Sequence, residues 1–160
     1  MTNLRRSWSE KGERALLSQQ QAYSNAYLFT ALNPITGNDF HLLLPTMTSD
    51  ITKIFLLELK KQHPNKEVVL VWDNAPCHRR KDLHEIEGLT LINLPSYSPE
   101  LNPAERYFEE IRRITANMIF ESLEKCEEVI TKAIHKWSNP EKLKKLIGYD
   151  WILEQCGEVC

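Results

Sequence analysis

Two acidic residues stand out by where they fall. Asp73 ends the apolar run Val68 to Trp72 and is followed at once by Asn74. Glu105 stands in the first turn of a helix-type pattern that opens at Pro103. Between them a second short apolar run, Leu89 to Leu94, leads into Pro95 and the stretch SYSPELNPAE. One carboxylate at the end of a strand and another at the start of a helix commonly build a divalent-cation site for phosphodiester chemistry. Magnesium takes oxygen ligands at about 2.0–2.1 Å and keeps several waters, which suits short, firmly mounted carboxylates. Each acid also has a plain structural role open to it. Asp73-Asn74 reads as an Asx turn leaving a strand. Asn102-Pro103-Ala104-Glu105 reads as a helix entry, with Asn as N-cap, Pro at N1 and Glu at N3 in a capping box. The two roles are compatible, since a first-turn glutamate is free to bind a metal instead of the backbone.

Other chemistry-bearing residues cluster around these acids. Three roles stand open for His78: orienting an acid, contacting a phosphate, or capping a short helix. Tyr97 reads either as a packed loop aromatic or as a ring that stacks on a base or ribose. Arg79, Arg80, Arg112 and Arg113 are candidate phosphate contacts, which position a nucleic acid without reading its sequence. Cys77-His78 beside Asp73 lacks the second ligand pair that a structural zinc site needs.

The elements that must position these residues follow from the hydrophobic pattern. Tyr27–Leu32 and Phe40–Leu44 flank the turn-rich Asn33-Pro34-Ile35-Thr36-Gly37-Asn38, so residues 26–44 read as an antiparallel hairpin. Leu16 to Ala22 reads as a weaker strand beside it. Ser49 and Asp50 are placed to cap a helix from Ile51, with Ile51, Ile54, Phe55, Leu57 and Leu59 as its apolar side. Val68 to Trp72 lacks polar alternation and is expected to be a central strand buried on both faces. Lys81 to Glu87 reads as a short helix ended by Gly88. From Pro103, Tyr107, Phe108, Ile111, Ile114 and Met118 recur at helical steps. Ser122 is expected to cap the next helix, which Asn139-Pro140 ends. The tail DWILEQCGEVC is ambiguous.

The chain has 160 residues, 42% hydrophobic and 26% charged, with net charge −2. That suits one soluble domain with a real core. The overall charge does not announce nucleic acid, although basic residues cluster at Arg5-Arg6, Arg79-Arg80-Lys81 and Arg112-Arg113. The four cysteines make no C-x-x-C framework, and no signal peptide or membrane-length apolar run is present, so reduced thiols in the cytoplasm are expected.

At WDNAPCH and LPSYSPELNPAE the chain resembles transposases of the mariner-like superfamily, in the bacterial insertion-sequence branch with a DDE catalytic domain. In that family an Asp-Asn dipeptide at a strand end is followed by His, here Asp73, Asn74 and His78. A Ser-Pro-x-Leu-Asn-Pro-x-Glu stretch follows, here Ser98 to Glu105. RSWSEKGER near the N-terminus resembles a Trp-x-x-x-Gly motif of the same family. The resemblance implies an α/β fold: an RNase H-like (retroviral-integrase-like) mixed sheet flanked by helices, here lacking the complete first strand. It implies an arm over residues 1–15, a partial catalytic domain over 16–138 and a helical tail over 139–160. It also makes Asp73 the second catalytic acid and Glu105 the third. Between them they would hold Mg2+ or Mn2+, two ions in the complete enzyme, about 3.5–4 Å apart across the scissile phosphate. Asn74, His78, Arg79, Arg80, Tyr97, Arg112 and Arg113 become the DNA-contacting set.

The family's first aspartate lies upstream of the Trp-x-x-x-Gly motif. No Asp precedes Trp8, and Asp39 and Asp50 do not occupy that position. The expectation is a C-terminal catalytic fragment, inactive in strand cleavage by itself. Its expected partners are terminal inverted-repeat DNA with a TA target, an upstream transposase fragment and a second copy of itself. The alternative is a non-catalytic nucleic-acid-binding or inhibitory module of the same fold, and a third reading is a simple RNase H-like nuclease.

Overall fold

The computed structural model describes Lys11 and residues 25–157. The N-terminal arm, the Trp-x-x-x-Gly motif and the weak strand expected over 16–22 therefore lie outside the described residues, Lys11 apart. The hairpin is as expected: β1 (Tyr27–Leu32) pairs antiparallel with β2 (Asp39–Leu44), from Tyr27 opposite Leu44 to Leu32 opposite Asp39. Its turn is held locally. The Asn33 carboxamide oxygen accepts from the Ile35 and Thr36 amides at 2.9 Å, and the Gly37 amide donates to the Asn33 carbonyl at 2.8 Å. Gly37 has φ 73°, and a Cβ there would run into the Pro140 backbone. Only glycine meets both conditions without strain.

Helix α1 (Ser49–Lys61) starts two residues before the expected Ile51. Thr48 is the N-cap, its hydroxyl accepting from the Ile51 amide, and Ser49 and Asp50 lie inside the first turn. Its buried face is Thr52, Phe55, Leu56 and Leu59, whereas Ile54 and Leu57 are exposed. The expected stripe was thus rotated. The true one follows three- and four-residue steps from Thr52, a position that polarity alone argued against.

β3 (Val68–Trp72) pairs in parallel with β4 (Leu89–Asn93). Two short 3-10 turns, Pro76–His78 and Lys81–Leu83, lie in the crossover in place of the expected short helix. The expectation of a strand buried on both faces fails at β3. Val69 and Val71 are 52% and 49% exposed. Among the described residues the strands form two two-stranded sheets, with no ladder joining them. A pair of strands packed on one helix covers only one face. An unbroken apolar run does not reveal which faces are covered.

Helices α2 (Pro103–Thr115), α3 (Leu123–Trp137), α4 (Pro140–Ile147) and α5 (Asp150–Gly157) complete the chain. Asn102, Ser122 and Asn139 cap the first three through their side-chain oxygens, on the Ala104, Lys125 and Lys142 amides. Pro103 and Pro140 sit in the first turns, where a missing N–H costs nothing. Met118, expected on the α2 stripe, lies past the helix end and is exposed.

The core has two parts, one on each side of the hairpin. Phe55 and Leu56 of α1 pack with Trp72, Leu83 and Leu89, against Phe29, Ala31, Leu70 and Leu91. Tyr107, Ile111, Ala133, Ile134, Leu143 and Ile147 form the other, against Leu28 and Leu32. The period-two alternation of β1 thus sends neighbouring residues into different layers. The hairpin is the middle of a helix–sheet–helix stack. The parallel pair shares only the α1 side of it. No described helix is long and apolar enough to cross a membrane.

Candidate active site

The parallel register puts the carboxyl ends of β3 and β4 side by side. Trp72 lies opposite Asn93, and the Leu94 amide donates to the Trp72 carbonyl at 2.7 Å, one step past the ladder. Asp73 therefore leaves the sheet beside Leu94-Pro95. The carboxyl ends of parallel strands are where open α/β sheets bind ligands. A cleft of about 350 Å³ opens there, lined by Asp73, Asn74, Arg79, the Leu94–Pro99 loop, Asn102 and Glu105. The two acids chosen from sequence, 32 positions apart, form walls of one cavity.

Asp73 makes the Asx turn: its Oδ1 accepts from the Ala75 amide at 3.0 Å. His78 Nδ1 lies 2.9 Å from the same Oδ1 and 3.0 Å from the Asp73 carbonyl oxygen. The His78 ring stacks on Trp72 with centroids 4.0 Å apart and planes 6° from parallel. Of the three roles open to His78, the geometry is that of orienting an acid. Among the described residues Oδ2 of Asp73 has no partner. The Asx turn and the His78 contact thus both use Oδ1.

Glu105 is not in a capping box. The Asn102 amide donates to the Pro99 carbonyl, and Glu105 Oε2 instead faces Arg112 Nη2 at 3.3 Å. Both carboxylates are accessible, the Asp73 and Glu105 side chains being 59% and 43% exposed. The cleft's donors are oxygens: two carboxylates, the Ser96 and Ser98 hydroxyls and the Asn102 carboxamide. That donor set fits a hard divalent cation such as magnesium or manganese, for which oxygen is preferred over nitrogen and sulfur. Among the described residues no cluster of three or more His, Cys, Asp or Glu side chains converges. Asp39 is occupied elsewhere, with His41 and Ser138, and Asp50 with Arg80.

The remaining candidates divide. Asn74 ties the two loops together, its Nδ2 donating to the Leu94 carbonyl at 2.6 Å. Arg79 lines the cleft and donates to the Asn74 carbonyl at 3.3 Å. Arg80 is turned away, between Asp82 and Asp50. Its guanidinium, and then Lys53, hold the Asp82 carboxyl well below the usual carboxylate range. Arg113 pairs with Glu110 at 2.6 Å. Tyr97 is not the packed loop aromatic that burial tendencies favour. It lines the cleft at 101% relative exposure, with φ 62°. Ser96, Ser98 and the Trp72–His78 stack were missed from sequence, because serines in a loop and a Trp six residues before a His carry no signal of their own. Cys77 and Cys126 are free thiols, as expected for them, and burial pushes the Cys126 thiol up.

A paired-carboxylate cleft at the ends of parallel strands, in a helix-flanked α/β chain, defines the class. The chain belongs to the DDE superfamily endonucleases, whose family model matches residues 1–127. Its fold is shared with Mos1 transposase. The paired-end complex with left transposon end superposes with a TM-score of 0.59 at 20% identity, over 91% of this chain and 50% of that chain. The Mos1 strand transfer complex gives 0.59 at 20% identity, over 91% and 49%. This chain thus spans about half the length of the Mos1 chains it matches. Uncharacterized protein y4pE/y4sA of Sinorhizobium fredii (strain NBRC 101917 / NGR234) is 28% identical over 134 residues, covering 82% of this chain and 93% of that protein. The family match bears out the DDE part of the resemblance, and the shared fold bears out the RNase H-like architecture.

Proposed function

We propose that this chain is the part of a bacterial insertion-sequence transposase that carries its second and third catalytic acids. In this reading it acts on DNA in the cytoplasm, cutting at terminal inverted repeats and joining the ends to TA targets. The observation that carries the reading is that Asp73 and Glu105 share one open, oxygen-lined cleft. Asp73, through Oδ2, and Glu105 would hold the cation. Magnesium or manganese supplies Lewis-acid polarisation of a phosphoryl oxygen and an activated hydroxyl nucleophile.

The chain's own residues do the rest. His78 holds Oδ1 of the Asp73 carboxylate and leaves Oδ2, which has no partner among the described residues, for the cation. Arg112 pairs with Glu105 and offsets its charge. Arg79, exposed on the cleft wall, offers a phosphate its guanidinium donors. Two carboxylates carry less charge than a pair of divalent ions requires, so a third acid must come from residues other than those lining this cleft. Unless that acid lies among the residues outside the described ones, the 160-residue chain by itself shows no appreciable strand cleavage.

The test uses the purified full chain, labelled terminal-repeat DNA and magnesium or manganese. The chain is assayed alone and with the polypeptide encoded immediately upstream. Joined DNA products that need both polypeptides, and vanish in Asp73→Asn and in Glu105→Gln, are the expected result. Robust magnesium-dependent nicking by the chain alone, lost in Asp73→Asn, would overturn the need for a third acid. Joined products unaffected by either substitution would overturn the site.

A further inference from the structure

Tyr97 combines two features that rarely coincide. Its backbone sits in the left-handed region at φ 62°, which L-residues other than Asn and Asp seldom adopt. Its ring has no burial to offset that strain, being 101% exposed. Strained, non-glycine conformations persist where the surroundings over-determine them, and they cluster at ligand sites. Here the surroundings are visible. Asn74 pins the loop at the Leu94 carbonyl, the Leu101 amide closes on the Ser98 carbonyl, and Pro99 to Leu101 form a 3-10 turn. A glycine would satisfy this loop at lower cost, yet a large aromatic is held out over the cleft.

We infer that Tyr97 is a stacking platform for a single unpaired base beside the reacting phosphate, so that the site takes DNA with a locally opened or single-stranded end rather than intact duplex. The inference rests on the reading of the cleft as a DNA site and names the form of DNA it takes. An exposed aromatic face stacks on any base, whereas the bases of an intact duplex are stacked on each other and present only their edges. The neighbourhood supplies the complementary polar groups. Arg79 is exposed on the same wall and suits the phosphate attached to that base, and Ser96 and Ser98, its chain neighbours, line the same cleft. The two carboxylates lie in the same cavity, so a base held on Tyr97 brings its own backbone to them. The ring fixes which nucleotide enters. The acids and their cation act on its phosphate.

The probe is a DNA hairpin carrying 2-aminopurine in a short single-stranded end, compared with a fully paired duplex, both titrated with the full chain in EDTA. Without cations, binding is read apart from strand chemistry. Wild type and Tyr97→Phe are expected to bind the single-stranded end and quench the 2-aminopurine. Tyr97→Gly is expected to bind it roughly 5- to 100-fold more weakly, without quenching, because base–aromatic stacking is lost. The fully paired duplex should be bound equally by all three. In the same variant Tm should rise by about 2–4 °C, since the left-handed backbone no longer carries a side chain. Equal binding of the single-stranded end by Tyr97→Gly and wild type, or an equal loss on both DNAs, overturns the inference and leaves the cleavage reading standing. A fall in Tm overturns it too, by giving the ring a packing role. Quenching retained by Asp73→Asn, in an assay where strand joining is lost, separates the platform from the chemistry and supports it. Failure of the wild type to bind either DNA overturns this inference together with the DNA reading of the cleft.

Discussion

The imidazole of His78 lies flat on the indole of Trp72, 4.0 Å away, and from that position reaches both the carbonyl and the carboxylate of Asp73. Trp72 is the last residue of β3 and is buried, so the stack transmits the rigidity of the sheet to the residue just beyond it. Asp73 alone, at a strand end and over half exposed, has no packing to fix its rotamer.

On the proposed function, His78 acts as a positioning residue for Asp73. Groups that orient a metal-binding side chain typically contribute 10- to 100-fold to affinity or activity. His78→Ala should lower strand joining by about that factor in the reconstituted reaction, chiefly in kcat, with DNA affinity little changed. His78→Asn, whose amide nitrogen can stand where Nδ1 stood, should recover part of the loss. Equal activity of His78→Ala and wild type would remove the role, and an equal loss in both variants would point to the stack rather than the hydrogen bond.

Gly37 tests how the hairpin meets the last helices. Its φ of 73° and the Pro140 backbone against its α-carbon both exclude a side chain. Gly37→Ala should destabilise the chain by about 2–4 kcal/mol, read from the urea midpoint, by adding left-handed strain to a clash with main chain. Ile35→Ala in the same turn, at an exposed position, should stay within about 0.5 kcal/mol. A neutral Gly37→Ala would mean that α4 is free to move away from the turn.

His41 predicts a pH dependence unconnected with the cleft. Its Nε2 meets Asp39 at 2.9 Å and the Tyr107 hydroxyl at 3.3 Å, its Nδ1 meets the Thr30 hydroxyl at 3.0 Å, and Ser138 donates to the same Asp39 oxygen at 2.6 Å. Burial lowers its pKa below the ordinary 6.5, and the hydrogen bond and charge of Asp39 only partly oppose this. Burial also pushes the Tyr107 hydroxyl up, so it stays protonated. With the folded value depressed, the unfolded chain takes up the proton first. The His41 contribution is complete above pH 6.5 and is lost as pH falls from there through the lower folded value. Thermal midpoints measured against pH should fall through that window. The His41→Gln variant should show a flatter profile there, and an unchanged slope would assign the acid sensitivity to other groups.

Local structure was legible in the residue order because its causes lie within a few positions. Asn33 to Gly37 form the turn through their own side chains and backbone, Asn102-Pro103 start α2, and Ser122 starts α3. The choice of Asp73 and Glu105 was legible in the same way, as one acid where an apolar run ends and another in the first turn of a helix. Burial was not. Val69 and Val71 resemble core residues in composition, but they are exposed because no described element lies over that side of β3. The α1 stripe was misjudged because Thr52, not Ile54, is buried.

What the sequence determined by itself was therefore the short-range grammar: strand ends, caps, turns, and two acids placed at element termini. Only the tertiary structure decided that the parallel register of β3 and β4 gathers those acids into one cleft. It also decided that Arg80 faces Asp50 and Asp82 instead, and that Tyr97 stands bare at the rim. Hydrogen bonds between neighbours in the chain fix conformation locally. Which face is covered, and which charge meets which, depends on elements distant in sequence.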